Sequence, residues 1–253
     1  MGKRRMAVLL KALLAGCLAL TGAACSEARA AARPQIAGTW RMPRGEEIKG
    51  PLMVTPPLPP APLKPEFDGP YQEQRKRVAA ADAEGRPIAR DRELCIPDGV
   101  PRMLTTDTPF EILVNPGRIT IIHEFMGSVR RIYMDRQHPK GDDLEEGFFG
   151  DSIGRWDGDT LVIDTVGLKS RILLFNDAPR SEQLRVVERL RLLTPDLLED
   201  EVTIIDPGTL TKPWVVTRRF LRHPEWTVGE FVCTEDNRAY RDADGRLGWR
   251  TER

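Results

Sequence analysis

From Phe110 onward the chain is a succession of short runs of β-branched, aromatic and other apolar residues, each cut off by a tight-turn signal, and this punctuation limits its possible folds more than any other feature. Residues 111–114 lead into Asn115-Pro116-Gly117. Residues 119–125 and 129–134 flank Met126-Gly127-Ser128, and residues 153–156 and 160–166 flank Asp157-Gly158-Asp159. Residues 184–192 and 198–206 flank Thr194-Pro195-Asp196, while 214–222 and 227–233 flank His223-Pro224-Glu225. Runs of this length joined by such turns read as antiparallel hairpins. Their succession predicts a mainly β protein, an antiparallel up-and-down barrel, because closure leaves no strand edge exposed. A two-sheet sandwich is the alternative.

What precedes the strands divides into three parts. Residues 1–24 read as a signal peptide, with a basic start at Lys3-Arg4-Arg5 and an apolar run over 12–24 that is too short for a membrane span. Thr21-Gly22-Ala23-Ala24-Cys25 has the shape of a lipobox and makes Cys25 a candidate for lipidation, with a tether to the outer membrane. Ala28-Arg29-Ala30 offers ordinary cleavage and secretion instead. Either way the expectation is export to the periplasm, with the membrane engaged only through such an anchor. Residues 25–66 form a proline-rich arm, and 67–94 a helical lead-in whose breaker-free stretch 71–83 predicts a helix ended by Gly85 and Pro87. The barrel domain is expected over 95–253.

Once the leader is set aside, Cys95 and Cys233 are the cysteines of the folded part, and in an oxidising compartment they predict one disulfide. Charge is balanced at 38 basic and 38 acidic residues, so no positive field recommends nucleic acid as a partner. No metal site is expected, since the three histidines lack ligand spacing and no C-x-x-C occurs. No phosphate-binding or dinucleotide glycine loop appears either, so no cofactor is expected.

Two patterns carry chemistry. Gly150-Asp151-Ser152-Ile153-Gly154 fits the G-x-S-x-G of a hydrolase nucleophile elbow. Such an elbow needs a helix after the serine, whereas this chain runs on through Arg155-Trp156 into the Asp157-Gly158 turn. Ser152 therefore reads as a hydroxyl on a strand entering a hairpin. The second pattern is alternation. Glu188 shares a face with Leu184, Val186, Leu190 and Leu192; Asp164 with Val162 and Val166; Glu124 with Ile122; Glu230 with Val228 and Val232; and Arg218 with Trp214, Val216 and Phe220. If those faces line the barrel, Glu188, Asp164 and Glu124 are candidate general acids or bases. Arg131, Arg218, Trp214 and Glu230 are then candidate ligand-binding residues, the arginines orienting an anionic group. The competing reading is buried ion pairs, such as Glu188 with Arg218, that fix strand register. A one-residue slip inverts every such assignment in a strand.

Two resemblances add to this. Ile36-Ala37-Gly38-Thr39-Trp40 carries a G-x-W similar to the first strand of lipocalins, in which the tryptophan closes the barrel floor, so Trp40 is expected to be buried if the arm supplies a strand. Cys95-Ile96-Pro97-Asp98-Gly99-Val100-Pro101-Arg102-Met103, the G-x-S-I-G-R-W-x-G-D-T-L block from Gly150 to Leu161, Val187-Glu188-Arg189 and Thr211-Lys212-Pro213-Trp214 together resemble, over roughly 64–240, a family of exported bacterial proteins to which no reaction is assigned. Histidine is common in that family at the positions held here by Asp151 and Arg180. The functional expectation is an exported barrel binding a small apolar or amphipathic molecule. An acid–base enzyme of isomerase, hydratase or cyclase type on an apolar substrate, and a structural envelope lipoprotein with a filled core, are the alternatives.

Overall fold

The computed structural model describes residues 34–234, except 86, 87, 89, 90, 92 and 93, together with 239–244 and 247–249. Residues 1–24, expected to be a signal peptide, and Cys25 lie outside the described residues. Nine strands close into a barrel: β1 (Gly38–Arg41), β2 (Phe110–Asn115), β3 (Arg118–His123), β4 (Ser128–Met134), β5 (Asp151–Asp157), β6 (Thr160–Val166), β7 (Arg185–Thr194), β8 (Leu197–Ile205) and β9 (Trp214–Arg222). A separate hairpin joins β10 (Ala239–Arg241) to β11 (Leu247–Trp249). Among the described residues the fold is mainly β with a single α-helix, α1 (Pro65–Ala83). It accords with the expectation of a lipocalin-like barrel preceded by a helix and a proline-rich arm.

Three details differ from a simple meander. First, β4 and β5 pair in parallel, with Ile132 opposite Ser152 and Met134 opposite Gly154, while the other wall pairs are antiparallel. A parallel pair cannot be joined by a tight turn, and residues 135–150 make the return. Second, the strand expected over 227–233 does not form. The free edge of β9 is taken by β1, whose Trp40 and Arg41 stand opposite Arg222 and Leu221. Third, the helix begins six residues before the expected Tyr71. Pro65 stands in the first turn, where its missing N–H matters little, with Glu66 and Asp68 beside the positive end of the helix dipole. The turn tolerates Pro70 because the helix is exposed on most sides and buries only Tyr71 fully.

The arm is not a loose linker. Trp40 is fully buried inside the barrel, donating its indole N–H to the carbonyl of Ile36 at 2.9 Å. The Arg222 guanidinium lies 4.1 Å from the centre of its ring and donates to the carbonyls of Ala37 and Gln35, both at 2.6 Å. This tryptophan and arginine close the lower end. Farther along, the arm passes the outer face of β9 at Arg219 and then the start of that strand at Trp214. Arg219 donates to the carbonyls of Leu52 and Val54, Trp214 Nε1 to the carbonyl of Pro59, and Thr211 N to the carbonyl of Pro62. Prolines lack donors but keep their carbonyls, so a proline-rich strap docks largely by acceptance, with Lys64 N donating to the carbonyl of Thr209 at 2.9 Å.

The upper end is closed by the connection between β6 and β7. Ile172, Leu174, Phe175 and Ala178 are buried there, with Phe175 edge-on to Trp214 at 5.9 Å between ring centres. The plug is tied from outside: Tyr71 Oη donates to the carbonyl of Asn176 at 2.9 Å, and Arg102 pairs with Asp177 at 2.9 Å. Cys95 and Cys233 form the expected disulfide, joining the segment before β2 to the one after β9 across 138 residues.

Candidate functional site

The motif Gly150-Asp151-Ser152-Ile153-Gly154 is a piece of barrel wall. Gly150 has φ +60°, and a Cβ there would sit 2.4 Å from the carbonyl oxygen of Val166. A Cβ on Gly154 would meet the Met134 sulfur at 2.7 Å and the Ile132 side chain at 2.8 Å. Gly154 is thus set by close approach at the parallel β4–β5 seam, and Gly150 by close approach to the end of β6. Between them Ser152 is fully buried, and a second strand rather than a helix follows it. Its hydroxyl shares a 2.9 Å hydrogen bond with Thr165 Oγ1 and accepts from Arg130 Nε at 3.2 Å. No elbow forms, as the turn at Asp157-Gly158 led one to expect.

Inside the wall, the middle of the barrel is a deck of ionisable groups: Arg130 on β4, Glu188 on β7, Asp200 on β8, Arg218 on β9 and His123 at the end of β3, all at most 5 % exposed. Arg130 is held on every side. Nη1 donates to Glu188 Oε1 at 2.9 Å and Nη2 to Thr165 Oγ1 at 2.9 Å, and Nη2 also makes a short contact with Glu188 Oε2. This bidentate pair reaches from β4 to β7, and with Ser152 and Thr165 it ties together the four strands that contain the parallel seam. A buried charge left without such partners costs several kcal/mol, so this geometry is one of the few that permits the pair at all.

Asp200 lies one step diagonally from Glu188 on the neighbouring strand, and its carboxyl turns to hydrogen-bond with Glu188. Burial first, and the Glu188 charge second, push Asp200 well above the usual carboxylate range. Two carboxyl groups in contact cannot both be ionised in a dry interior, and the hydrogen bond between them needs the proton. His123 is fully buried, stacked on Phe110 at 4.9 Å, and its pKa falls to about 3, by desolvation and then by the charge of Arg130. The imidazole is neutral in the folded barrel.

Arg218 is the exception in the deck. It is a cross-strand partner of Asp200, yet Asp200 faces Glu188, and among the described residues no carboxylate stands at ion-pair distance from the Arg218 guanidinium. Its Nε has no hydrogen-bond partner, and the group rests against the ring of Phe175 at 5.3 Å. Desolvation lowers its pKa and the charge of Asp200 opposes that.

The structure brings together some of the residues singled out from sequence and disperses others. Glu188, Arg218 and Trp214 face the interior as expected. The partner of Glu188 is Arg130, not Arg218. Asp164 faces outward: Leu161, Ile163 and Thr165 supply the inner face of β6, and Asp164 makes a bidentate pair with Arg185, its Oδ1 accepting from Arg185 Nε at 2.7 Å. Since residues 161–163 are all apolar, alternation could not say which parity is inside. Arg131 is exposed and its neighbour Arg130 is buried, for the same reason. Glu124 lies beyond the end of β3, where its Oε2 accepts the backbone N–H of Gly229 at 3.0 Å. Glu230 is exposed, because the strand meant to carry it does not form. The residues that sequence reasoning missed are Arg130, Asp200 and His123. Asp200 stands among Leu198, Val202 and Ile204 in the same pattern that exposed Glu188, so its signal was present.

Two adjoining clefts lie outside the plug. One of about 560 Å³ runs between α1 and the plug, past Tyr71, Arg75, Val78, Arg102, Leu173 and Asn176. The other, about 360 Å³, adjoins the arm and includes Tyr71, Asn176 and Trp214. No group of metal-ligating side chains occurs among the described residues. A scan against protein-family models finds no match to this chain, and a search of curated proteins finds none either. Fold and site together define a closed β-barrel with a buried ionic deck and a plugged upper mouth.

Proposed function

We propose that this barrel binds a small amphipathic molecule, its polar end on the deck at Arg218 and its apolar part against the inner wall around Trp214, Val216 and Phe220. The observation that carries the reading is Arg218. A guanidinium buried to 5 % exposure with no anion at ion-pair distance is costly, and an anionic ligand would offset that cost. The clefts beside Tyr71 and Trp214 lead to the plug, so entry requires Phe175 to swing aside. Export and a lipid anchor at Cys25 fit the same role, placing the barrel in an oxidising compartment where the Cys95–Cys233 bond persists.

A second reading is favoured by the packing itself. Trp40, Phe175 and Arg130 are fully buried, which suits a filled, structural barrel. Native mass spectrometry of protein purified without denaturation from its source cells separates the two. The binding reading expects a small molecule retained at one per chain and lost in Arg218→Met. Wild-type protein that carries no such mass, and takes up none from a panel of apolar acids, esters and amines, favours the filled barrel. If bound material is converted to a product, and Glu188→Gln stops the conversion without stopping uptake, the barrel is an acid–base enzyme.

A further inference from the structure

The charges of the deck do not balance in pairs. Glu188 gives both oxygens to Arg130. Asp200 is turned toward Glu188 rather than toward Arg218, and its Oδ1 has no hydrogen-bond partner. Arg218, directly across the sheet from Asp200, has no carboxylate at ion-pair distance among the described residues, and the π-face of Phe175 lies 5.3 Å from it. An aromatic face offsets part of that charge and supplies no hydrogen-bond acceptor for the guanidinium fork.

What completes such a site is one negative charge on a flat group that can accept from the guanidinium and from an acid O–H together. We infer that the ligand of this barrel is an apolar molecule ending in a single carboxylate, held between the guanidinium of Arg218 and the carboxyl of Asp200. The inference rests on the ligand-binding reading above and narrows it to a chemical class. A carboxylate matches the guanidinium fork bidentately. A phosphate monoester brings a second negative charge into the dry interior beside Glu188, and an ammonium group is repelled by Arg218. The inner-face neighbours on the same strand, Trp214, Val216 and Phe220, are apolar and buried, so the remainder of the molecule must be apolar as well.

The test uses the disulfide-bonded protein and three probes: the fluorescent polyene cis-parinaric acid, its methyl ester, and the matching primary amine. The acid is expected to bind at least roughly tenfold more tightly than the ester, with the amine weakest, as one well-placed charge pair implies. Arg218→Met should abolish the preference of acid over ester while leaving the affinity for ester nearly unchanged. Asp200→Asn, which keeps a neutral donor, should retain the preference; Asp200→Leu should weaken it. Arg218→Lys guards against misfolding as an explanation, since it keeps the charge without the fork and should give an intermediate preference. Equal binding of acid and ester, or a preference that survives in a folded Arg218→Met protein, overturns the assignment of a carboxylate while leaving the binding reading intact. If wild-type protein binds none of the three, the binding reading falls and this inference falls with it.

Discussion

The neutral imidazole of His123 gives the barrel an acid-sensitive core, and the size of the effect follows from its environment. In the unfolded chain a histidine takes up its proton near its ordinary value of 6.5, whereas in the folded barrel the pKa is about 3. Between those limits the unfolded state binds the proton and the folded state does not. The contribution of His123 is therefore full above the unfolded value and is lost as pH falls from about 6.5 toward about 3. Linkage puts the loss between about pH 7.5 and about pH 5 at about 2 kcal/mol. Asp200 acts in the opposite sense: its raised pKa makes its contribution full at low pH and lost as pH rises beyond the ordinary carboxylate range. Wild-type stability alone thus mixes the two, and a difference is needed. His123→Phe keeps the stack on Phe110 and removes the titrating nitrogen, whose Nδ1 has no partner to lose. Equilibrium urea unfolding of both proteins with the disulfide intact should show the variant gaining about 2 kcal/mol on the wild type between those two pH values. Parallel loss of stability in the two proteins, or an NMR titration of His123 near 6.5 in the folded state, would refute the reasoning.

Three further outcomes follow from the same packing. Arg130→Met leaves Glu188 buried without its cation and should cost about 3–5 kcal/mol in urea unfolding. Pairing it with Glu188→Leu should recover most of that, because the desolvated charge is gone as well. Gly150→Ala forces a Cβ onto the Val166 carbonyl at a positive φ and should cost well over the about 1 kcal/mol typical of a glycine in open backbone, read as a fall in Tm; Gly158→Ala, in open space at a similar φ, should cost less. Reducing Cys95–Cys233 releases a constraint of 138 residues and should lower stability by up to about 5 kcal/mol in the chain-entropy model, seen on comparing oxidised and reduced protein in the same denaturant series.

How much of this was legible in the sequence depended on whether one parity of a strand was apolar. In β7 one parity is apolar but for Glu188 while the other carries Arg185, Arg189 and Arg191, so the pattern puts Glu188 inside. In β6 residues 161–163 are apolar on both faces, because Val162 is buried from the outside too, and Asp164 was assigned to the wrong side. The adjacent Arg130 and Arg131 posed the same ambiguity, and the seam that decides between them is parallel, which no tight-turn signal announces. Thr227 to Cys233 has the composition of a strand but lost the edge of β9 to Gly38–Arg41, and such a competition between distant segments is invisible to any local pattern. The pairing of Arg130 with Glu188, and the isolation of Arg218, depend on side-chain directions three strands apart around a closed wall.

The most direct measurement is a crystal structure of the protein grown with a medium-chain carboxylic acid carrying a bromine at the far end of the chain. The account predicts carboxylate density within hydrogen-bonding distance of Arg218 and Asp200, anomalous bromine signal within the barrel, and Phe175 moved from its place over the guanidinium. An interior unchanged from the unliganded protein, with Phe175 still seated against Arg218 and bromine found only on the outer surface, would contradict it.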